Sequence, residues 1–276
     1  MKIGVVGNGF VGNAVFENMK EKYDSYVYDK DANRSLNTIE EVYSCDIIFI
    51  CLPTPMKTAE GGECNLTIIE DFFSQIPKEI NAIFAIKSTV PIGTTEKIRK
   101  SRKDLRIVHN PEFLTAANAK QDFKNSERNV IGGAPEDCKV LEKCLKNLLP
   151  KAENILVTST ESEAIKYFSN TFLATKVAYF NLIYDLCQKL NIDYNSVVSG
   201  VCSDTRIGKS HSKTPGPDGD RGFGGTCFPK DINALIHTFK ENNLDNVMLQ
   251  NIWKYNKKIR KKWDWAENKS AVLDGE

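Results

Sequence analysis

The chain has 276 residues, of which 41% are hydrophobic and 26% are charged, and its formal net charge is +1. This composition is typical of a globular protein with one large or two small domains, and it gives no general attraction for nucleic acid or anionic membranes. No apolar run is long enough to cross a bilayer. The eight cysteines are widely spaced and the first residues do not resemble a signal peptide, so we expect a cytoplasmic protein with reduced thiols and no metal site.

The first half of the sequence alternates short apolar runs with helical patterns. The predicted strands are Lys2–Val6, Ser25–Tyr28, Ile47–Leu52, Ala82–Ile86, Arg106–Val108, Asn129–Gly132 and Ile155–Val157. The predicted helices between them are Val11–Lys20, Thr38–Tyr43, Leu66–Gln75, Thr94–Lys100 and Pro135–Leu148. This alternation predicts an α/β fold, with a Rossmann-like, doubly wound parallel sheet over residues 1–158.

The pattern changes to helices alone over residues 159–276. The stretch from Glu161 to Leu190 contains neither Gly nor Pro, and its apolar residues cover more than one face, which is typical of a helix packed on several sides. We therefore expect an all-helical domain in which this helix forms a dimer interface. Further helices are predicted at Tyr194–Val201, Lys230–Asn242 and Asn246–Trp265, and the tail after Lys269 is expected to be frayed.

A glycine motif, Gly7-Asn-Gly-Phe-Val-Gly12, lies between the first strand and the first helix. Its glycines allow a tight turn and close approach of a pyrophosphate, and the helix N-terminus supplies amide donors. Asp29 ends the second strand 17 residues after Gly12, where a carboxylate accepts the ribose hydroxyls of NAD and repels the 2′-phosphate of NADP. Arg34 is of the type that accommodates that phosphate, so the residues favour NAD and leave NADP open.

Three further loops follow strands of the predicted sheet. Leu52-Pro-Thr-Pro55, Ser88-Thr-Val-Pro91 and Asn110-Pro-Glu-Phe-Leu114 all fall at carboxyl ends of parallel strands. Ligands of open α/β sheets bind at this edge, so we expect Thr54, Thr89 and Glu112 to lie there together.

The glycine-rich segment Gly222-Phe-Gly-Gly-Thr-Cys-Phe-Pro-Lys-Asp231 contains a candidate nucleophile, Cys227. Its glycines allow the backbone to approach a ligand, and Pro229 suits the first turn of the next helix. The helix N-terminus and Lys230 favour a thiolate, so we interpret Cys227 as reactive rather than structural. Lys166 and Asn170 share one face of the long helix and are suited to hold an alkoxide or oxyanion.

Taken in this order, the segments resemble the UDP-glucose/GDP-mannose dehydrogenase family, and its UDP-glucose-oxidising members most closely. The matching stretches are Gly7–Gly12, Leu52–Pro55, Ser88–Thr94, Asn110–Leu114, Glu163–Asn170, Asp204–Gly208 and Gly222–Asp231. The resemblance implies an NAD-dependent four-electron oxidation of the C6 alcohol of a nucleotide sugar, with UDP-glucose to UDP-glucuronate as the leading reaction. It also implies a homodimer formed through the long helix.

The resemblance assigns a role to each candidate residue. Cys227 captures an aldehyde as a thiohemiacetal, which becomes a thioester and is then hydrolysed. The other catalytic residues are Lys166 and Asn170, which stabilise oxyanions, Asp231 and Thr89, which activate or position water, and Glu112, which binds substrate and transfers protons. The expected cofactor-binding residues are Gly7, Gly9, Phe10, Val11, Gly12, Asp29, Arg34, Thr54, Thr89 and Lys230. The expected substrate-binding residues are Glu112, Phe113, Leu114, Lys166, Asn170, Phe223, Gly224 and, across the dimer interface, Arg206.

Three features depart from the family pattern. Relatives usually have a second glutamate where this chain has Ala116. The loop of residues 209–221 is longer and more polar than usual, and its Lys213 and Arg221 face either a diphosphate or solvent. Relatives also continue into another nucleotide-binding domain, whereas this sequence stops at Glu276. Either the sequence is part of a longer chain, or the dimer and the long loop hold the substrate.

Other functions stay open at this stage. The same chemistry on a UDP-N-acetylhexosamine or GDP-mannose is the nearest alternative. A two-electron dehydrogenase of the 3-hydroxy-acid or 6-phosphogluconate type would also carry Lys166 and Asn170, but it has no use for Cys227. The third alternative is a non-catalytic NAD-binding protein.

Overall fold

The structure, a computed structural model, describes residues 1–273. Its strands are β1 (Lys2–Val6), β2 (Asp24–Tyr28), β3 (Ile47–Ile50), β4 (Met56–Thr58), β5 (Gly61–Cys64), β6 (Ile83–Ile86), β7 (Arg106–His109), β8 (Arg128–Gly132) and β9 (Glu153–Val157). Its helices are α1 (Phe10–Met19), α2 (Ile39–Tyr43), α3 (Thr67–Gln75), α4 (Thr94–Ser101), α5 (Ala119–Lys124), α6 (Pro135–Leu148), α7 (Ser159–Leu190), α8 (Tyr194–Val201), α9 (Cys227–Glu241) and α10 (Val247–Ile259).

Packing divides the chain into two compact units. The sheet unit comprises Met1–Thr54 and Leu66–Lys166, and the helical unit comprises Pro55–Asn65 and the chain from Tyr167 onwards. These units are defined by packing and not by a single cut in the sequence, so they do not test the expected domain boundary after residue 158, which stays a prediction. Packing assigns the first turns of α7 to the sheet unit and residues 55–65 to the helical unit.

The sheet unit is built on seven strands in the order β2-β1-β3-β6-β7-β8-β9. Side chains alternate between the faces of a strand, so Phe49 packs into one core and Ile48 and Ile50 into another. Helices α1, α5 and α6 cover the first core, and α2, α3 and α4 cover the second. The predicted Rossmann-like, doubly wound sheet is therefore confirmed.

One strand pair departs from the expected parallel arrangement. His109 at the end of β7 pairs antiparallel with Gly132 at the end of β8. Strand β8 consequently extends past the carboxyl end of β7, beside residues 110–113. The Asn110 side chain donates to the Val130 carbonyl at 2.7 Å, which fixes the segment after β7 against this projecting strand. The antiparallel pair thus adds a wall at the edge of the sheet where ligands of such folds bind.

The helical unit contains α8, α9, α10, most of α7 and the β4–β5 hairpin. The sequence did not predict this hairpin or α5, because their few residues show no clear periodicity. The predicted helix Asn246–Trp265 is too long, since α10 ends at Ile259. The buried Arg260 guanidinium binds Asp218 at 2.6 Å and Asp264 at 2.9 Å, and the chain turns there. None of the helices within residues 1–273 is long and apolar enough to cross a membrane.

Tryptophans attach the hairpin to the rest of the helical unit. The indole of Trp265, fully buried, donates to the Ala59 carbonyl at 2.9 Å, and the indole of Trp253 donates to the Glu60 carbonyl at 2.8 Å. Met56 also accepts an amide hydrogen bond from Leu273 at 2.9 Å. The expectation of a frayed tail after Lys269 is therefore wrong for residues 270–273, where Ala271 is fully buried. The rest of that tail lies outside the described residues.

We expect Trp265→Ala to lower the free energy of unfolding by about 3–5 kcal/mol, because it leaves a large cavity and an unpaired Ala59 carbonyl. Urea denaturation followed by far-UV circular dichroism measures this loss. Trp265→Phe keeps most of the packing and should cost clearly less. A loss below about 1 kcal/mol for the alanine variant would contradict this role.

Candidate functional site

The glycine loop after β1 has the geometry that a dinucleotide requires. Gly7 has a φ of +90°, and a Cβ at Gly12 would lie 1.7 Å from the Gly7 carbonyl oxygen. Both positions therefore exclude a side chain. A Cβ at Gly9 would meet nothing within 4 Å, so the space above the loop is open. The loop can thus receive a pyrophosphate against the N-terminus of α1.

Asp29 lies at the end of β2 and is fixed by the backbone. Its carboxylate accepts hydrogen bonds from the Asn8 amide at 2.6 Å and the Asp31 amide at 2.9 Å. The Arg34 guanidinium lies 3.4 Å from the Asp31 carboxylate. Arg34, the cation suited to the 2′-phosphate of NADP, is thus paired with Asp31, and the Asp29 carboxylate at the end of β2 favours NAD.

The loops after β3 and β6 meet as expected. The Thr54 hydroxyl donates to the Thr89 carbonyl at 2.8 Å, and the Ser88 hydroxyl donates to the Leu52 carbonyl at 2.6 Å. Thr54 and Thr89 are both buried. These hydrogen bonds join two of the predicted ligand-binding loops into one surface at the carboxyl edge of the sheet.

A buried ion pair lies at the same edge. The Lys166 ammonium is 3.0 Å from the Glu112 carboxylate and donates to the Glu112 carbonyl at 2.6 Å. The second carboxylate oxygen of Glu112 accepts from the Leu114 amide at 2.5 Å. Burial works to raise the pKa of Glu112, but Lys166 and the Leu114 amide outweigh it and hold that pKa below its usual value. Glu112 is therefore ionised, a state in which it can accept hydrogen bonds and protons.

Sequence analysis did not single out Lys87, which belongs to this cluster. Its ammonium donates to the Asn110 side-chain oxygen at 3.1 Å and to the Pro111 carbonyl at 3.3 Å. Burial lowers the pKa of Lys87 to about 8. The sequence feature that could have identified Lys87 is its position directly after an all-apolar strand, where burial of a cation is costly and therefore points to a specific role.

Glu163 fixes the first turns of α7 to the sheet unit. Its carboxylate accepts from the Gly93 amide at 2.5 Å and from both the amide and the hydroxyl of Thr95, at 2.7 and 2.6 Å. These donors are at the N-terminus of α4, so Glu163 caps that helix from a distant part of the chain. The same contact holds the α7 turn that carries Lys166.

A second polar cluster lies in the helical unit. The Asn170 amide donates to Asp231 at 2.6 Å, and the Lys230 ammonium lies 2.5 Å from the other oxygen of that fully buried carboxylate. Burial works to lower the pKa of Lys230, yet the adjacent Asp231 carboxylate raises it above its usual value. Lys230 therefore stays cationic beside Cys227, which favours the thiolate.

Cys227 is the first residue of α9 and is partly buried. Thiols at helix N-termini interact favourably, as thiolates, with the helix dipole and its free amides. Two of the preceding glycines are required by packing within the chain and not by a ligand. A Cβ at Gly222 would lie 2.3 Å from the Asn256 side-chain oxygen, and one at Gly224 would lie 2.1 Å from the Arg260 guanidinium. These two glycines allow Asn256 and Arg260, at the end of α10, to pack closely against the loop that precedes Cys227.

Phe223 and Arg221 are placed differently from the expectation, whereas Arg206 is exposed as expected. Phe223 packs inside the aromatic core of the helical unit, and its amide donates to Asn256 at 2.7 Å, which does not favour a substrate contact. Arg221 neither faces a diphosphate nor points to solvent, because it pairs with Asp185 of α7 at 2.7 Å. Arg206 binds Asp204 at 2.6 Å and is 88% exposed in its side chain, so it is available outside this chain.

Two family models match the chain in succession. The NAD-binding domain of the UDP-glucose/GDP-mannose dehydrogenase family matches residues 17–153, and the central domain of the same family matches residues 160–258. The chain belongs to the UDP-glucose/GDP-mannose dehydrogenase family. Most of its sheet unit is thus the NAD-binding domain of this family. The glycine loop precedes the matched range, and its assignment rests on the geometry above.

Relatives in this family include UDP-glucose 6-dehydrogenases. That of Rickettsia prowazekii (strain Madrid E) is 36% identical over 252 residues, which cover 88% of this chain and 56% of that protein. The UDP-glucose 6-dehydrogenase TuaD of Bacillus subtilis (strain 168) is 32% identical over 301 residues, covering 94% of this chain and 63% of that protein. The chain therefore spans less than two thirds of the length of these relatives.

Solved structures agree on the fold. A UDP-glucose dehydrogenase from the hyperthermophilic archaeon Pyrobaculum islandicum matches with a TM-score of 0.82 at 24% identity, over 93% of this chain and 68% of that one. The 3-hydroxyisobutyrate dehydrogenase of Mycobacterium tuberculosis matches with a TM-score of 0.72 at 16% identity, over 93% of this chain and 92% of that one. The fold therefore occurs in dehydrogenases named for different substrates, and it does not by itself select a reaction.

We expect Glu163→Gln to lower the free energy of unfolding by about 1–3 kcal/mol, because an amide cannot accept all three hydrogen bonds as a carboxylate does. Glu127→Gln, an exposed position of the same unit, serves as the matched control and should change little. Chemical denaturation of both variants measures the difference. Equal stabilities of the two variants would show that the cap contributes nothing.

Proposed function

We propose that the chain catalyses the NAD-dependent, four-electron oxidation of the C6 alcohol of a nucleotide sugar to a carboxylate. The observation that carries this proposal is Cys227 at the start of α9, next to a lysine that stays cationic and is bound to the buried Asp231. A two-electron alcohol dehydrogenase needs no such thiolate. A covalent thioester route to an acid does need one.

The first oxidation removes a hydride and a proton from the alcohol. Bound NAD supplies the hydride-acceptor chemistry, and the glycine loop and Asp29 are the groups suited to hold it. Lys166 is fixed by Glu112, so its ammonium is oriented to stabilise the alkoxide oxygen as the proton leaves. The ionised Glu112 carboxylate is suited to bind a substrate hydroxyl and to accept that proton.

The second oxidation proceeds on Cys227. The thiolate attacks the aldehyde carbon and forms a carbon–sulfur bond, giving a thiohemiacetal whose oxyanion Lys166 and Asn170 stabilise. Loss of a second hydride from that carbon gives the thioester. Water then attacks the thioester, the carbon–sulfur bond breaks, and the thiolate is regenerated as the carboxylate leaves. Asp231 and Thr89 are the groups that we propose to position this water. The overall change consumes two NAD and one water per sugar and releases three protons.

UDP-glucose, oxidised to UDP-glucuronate, is the substrate that we propose first. Support comes from the names of relatives that are 36% and 32% identical to this chain. A UDP-N-acetylhexosamine or GDP-mannose would undergo the same chemistry. The 3-hydroxy-acid alternative has support in a similar fold, but it leaves Cys227 without a role. We place the reaction in the cytoplasm, where reduced thiols persist.

We also propose a homodimer that uses an apolar face of α7. Large apolar side chains on this helix are more than half exposed within the single chain: Phe168, Phe172, Tyr179, Leu182, Leu186 and Leu190. Their spacing repeats at three to four residues, which places them along one side of the helix, with one gap of seven. A second copy of the same helix would cover this side and leave Arg206 available to the partner's substrate.

We expect Cys227→Ser to lower the rate of acid formation by about a thousandfold or more, because the hydroxyl is a far poorer nucleophile at neutral pH. The assay follows NADH and the acid product with a panel of nucleotide sugars. Cys187→Ala, a buried thiol of the same unit, is the control and should keep the wild-type rate. The wild type should form two NADH per sugar; one NADH per sugar would exclude the thioester route.

We expect Phe172→Asp to convert the dimer into a monomer at micromolar concentration, because the interface would bury two like charges. Sedimentation velocity measures the change. Gln188→Asp, at an exposed position on the opposite side of the same helix, provides a charge change outside the apolar face and should leave the dimer intact. If the wild type sediments as a monomer, the interface proposal is wrong.

A further inference from the structure

Lys87 is a buried cation to which neither the resemblance nor the proposed mechanism assigns a role. It directly follows β6, and its amide donates to the Ile50 carbonyl at 2.8 Å. Only 5% of the residue is exposed. Burying an ammonium is costly, and an apolar side chain of the same length would pack here without that cost. A lysine at this position therefore needs a function that an apolar residue cannot supply.

The contacts of Lys87 converge on the segment that carries Glu112. Its ammonium donates to the Asn110 side-chain oxygen at 3.1 Å and to the Pro111 carbonyl at 3.3 Å. Lys166 in turn donates to the next carbonyl, that of Glu112, at 2.6 Å. Two ammonium groups thus hold consecutive peptide carbonyls. This arrangement fixes both the position and the rotation of the peptide that precedes the Glu112 side chain.

Asn110 completes this support from the other side. Its amide nitrogen donates to the Val130 carbonyl of β8 at 2.7 Å while its oxygen accepts from Lys87. Its backbone amide donates to the Ile86 carbonyl at 2.8 Å. Both ends of the Asn110 side-chain amide and its backbone N–H are therefore hydrogen-bonded, and Lys87 is the group that connects the Asn110 side chain to the Pro111 carbonyl.

The charges around Lys87 leave the cluster positive. The titratable groups that face it are Glu112, Lys166, Cys51 and His109. Burial raises the pKa of Cys51 to about 12 and lowers the pKa of His109 to about 3, so both are neutral at pH 7. Two positively charged lysines therefore face one negatively charged glutamate, and this excess of positive charge keeps Glu112 ionised. Because burial lowers the pKa of Lys87 to about 8, this excess charge disappears in mildly alkaline solution.

We propose that Lys87 is a positioning residue for the oxidation, which orients the Asn110–Glu112 segment so that Glu112 and Lys166 meet the reacting alcohol. This inference rests on the proposed function. Deprotonation of Lys87 leaves a neutral amine, whose hydrogen bonds to Asn110 and Pro111 lose the contribution of the positive charge and are weaker. The segment is then held less firmly. The protonated Lys87 is therefore the active form, and the turnover number should fall as pH rises past the point at which Lys87 loses its proton.

The test compares Lys87→Met, Lys87→Arg and the exposed control Lys103→Met. Lys87→Met should lower kcat by about ten- to a hundredfold, since a misplaced catalytic group costs about that much, while the KM for NAD stays within about twofold. Lys87→Arg retains a cation that does not titrate, so it should recover part of kcat and lose the alkaline decline near pH 8. Lys103→Met should behave as the wild type. If Lys87 had only a structural role, replacing it with arginine would not remove the decline of kcat near pH 8.

A stability measurement tests the same residue without turnover. Folded Lys87 loses its proton near pH 8 and unfolded lysine loses it near 10.5, so raising the pH between these values stabilises the folded form. The melting temperature of the wild type, relative to Lys87→Met, should therefore rise from pH 8 to 10. The Lys103→Met difference should stay flat. Lys87→Met and Glu112→Gln should shift the melting temperature by non-additive amounts, because their groups belong to one network.

The outcomes separate the inference from the proposed function. A folded Lys87→Met with kcat within twofold of the wild type, or a Lys87→Arg variant with an unchanged alkaline decline, would overturn the inference. Absence of turnover with every nucleotide sugar would instead overturn the proposed function. In that case additive shifts in the double-mutant cycle would also overturn the role of Lys87, and non-additive shifts with the expected pH dependence would support it.

Discussion

The buried ion pair between Lys166 and Glu112 is the interaction on which the candidate site depends. Both charges are removed from water, and such pairs are on balance seldom stabilising. The cost is offset only by good geometry and full hydrogen bonding. Here the Glu112 carbonyl, the Leu114 amide and the position of α7 supply that geometry. The surrounding structure is arranged so that neither charge is left alone.

Helix α7 provides the positions that this arrangement needs. Glu163, Lys166 and Asn170 follow one another at intervals of three and four residues, so they project from one face. Each side chain has a different buried partner: the N-terminus of α4 for Glu163, Glu112 for Lys166 and Asp231 for Asn170. A single helix face thus supplies a structural cap and two polar contacts at the predicted catalytic residues.

The loop before Cys227, the predicted nucleophile, is fixed by the end of α10. Asn256 accepts from the Phe223 amide and donates to the Phe223 carbonyl, and Arg260 contacts the loop through Asp218. The glycines at positions 222 and 224 make these approaches sterically feasible. Such support would suit the predicted nucleophile, because nucleophilic attack depends on position within a fraction of an ångström. The same end of the chain also carries Trp265, which holds the β4–β5 hairpin.

The sequence by itself determined the alternating strands and helices, the glycine loop after β1, and the start of a helix near Cys227. These features follow from local periodicity, capping and glycine conformation, which few residues suffice to encode. Only the tertiary structure decided that Lys87 contacts Asn110 and Pro111, that Asp231 joins Asn170 to Lys230, and that α10 ends before Trp263 and Trp265. Such partners lie far apart along the chain, 54 residues for Lys166 and Glu112 and 61 for Asn170 and Asp231. Which buried charge meets which is set by packing across the whole fold, and no local pattern records it.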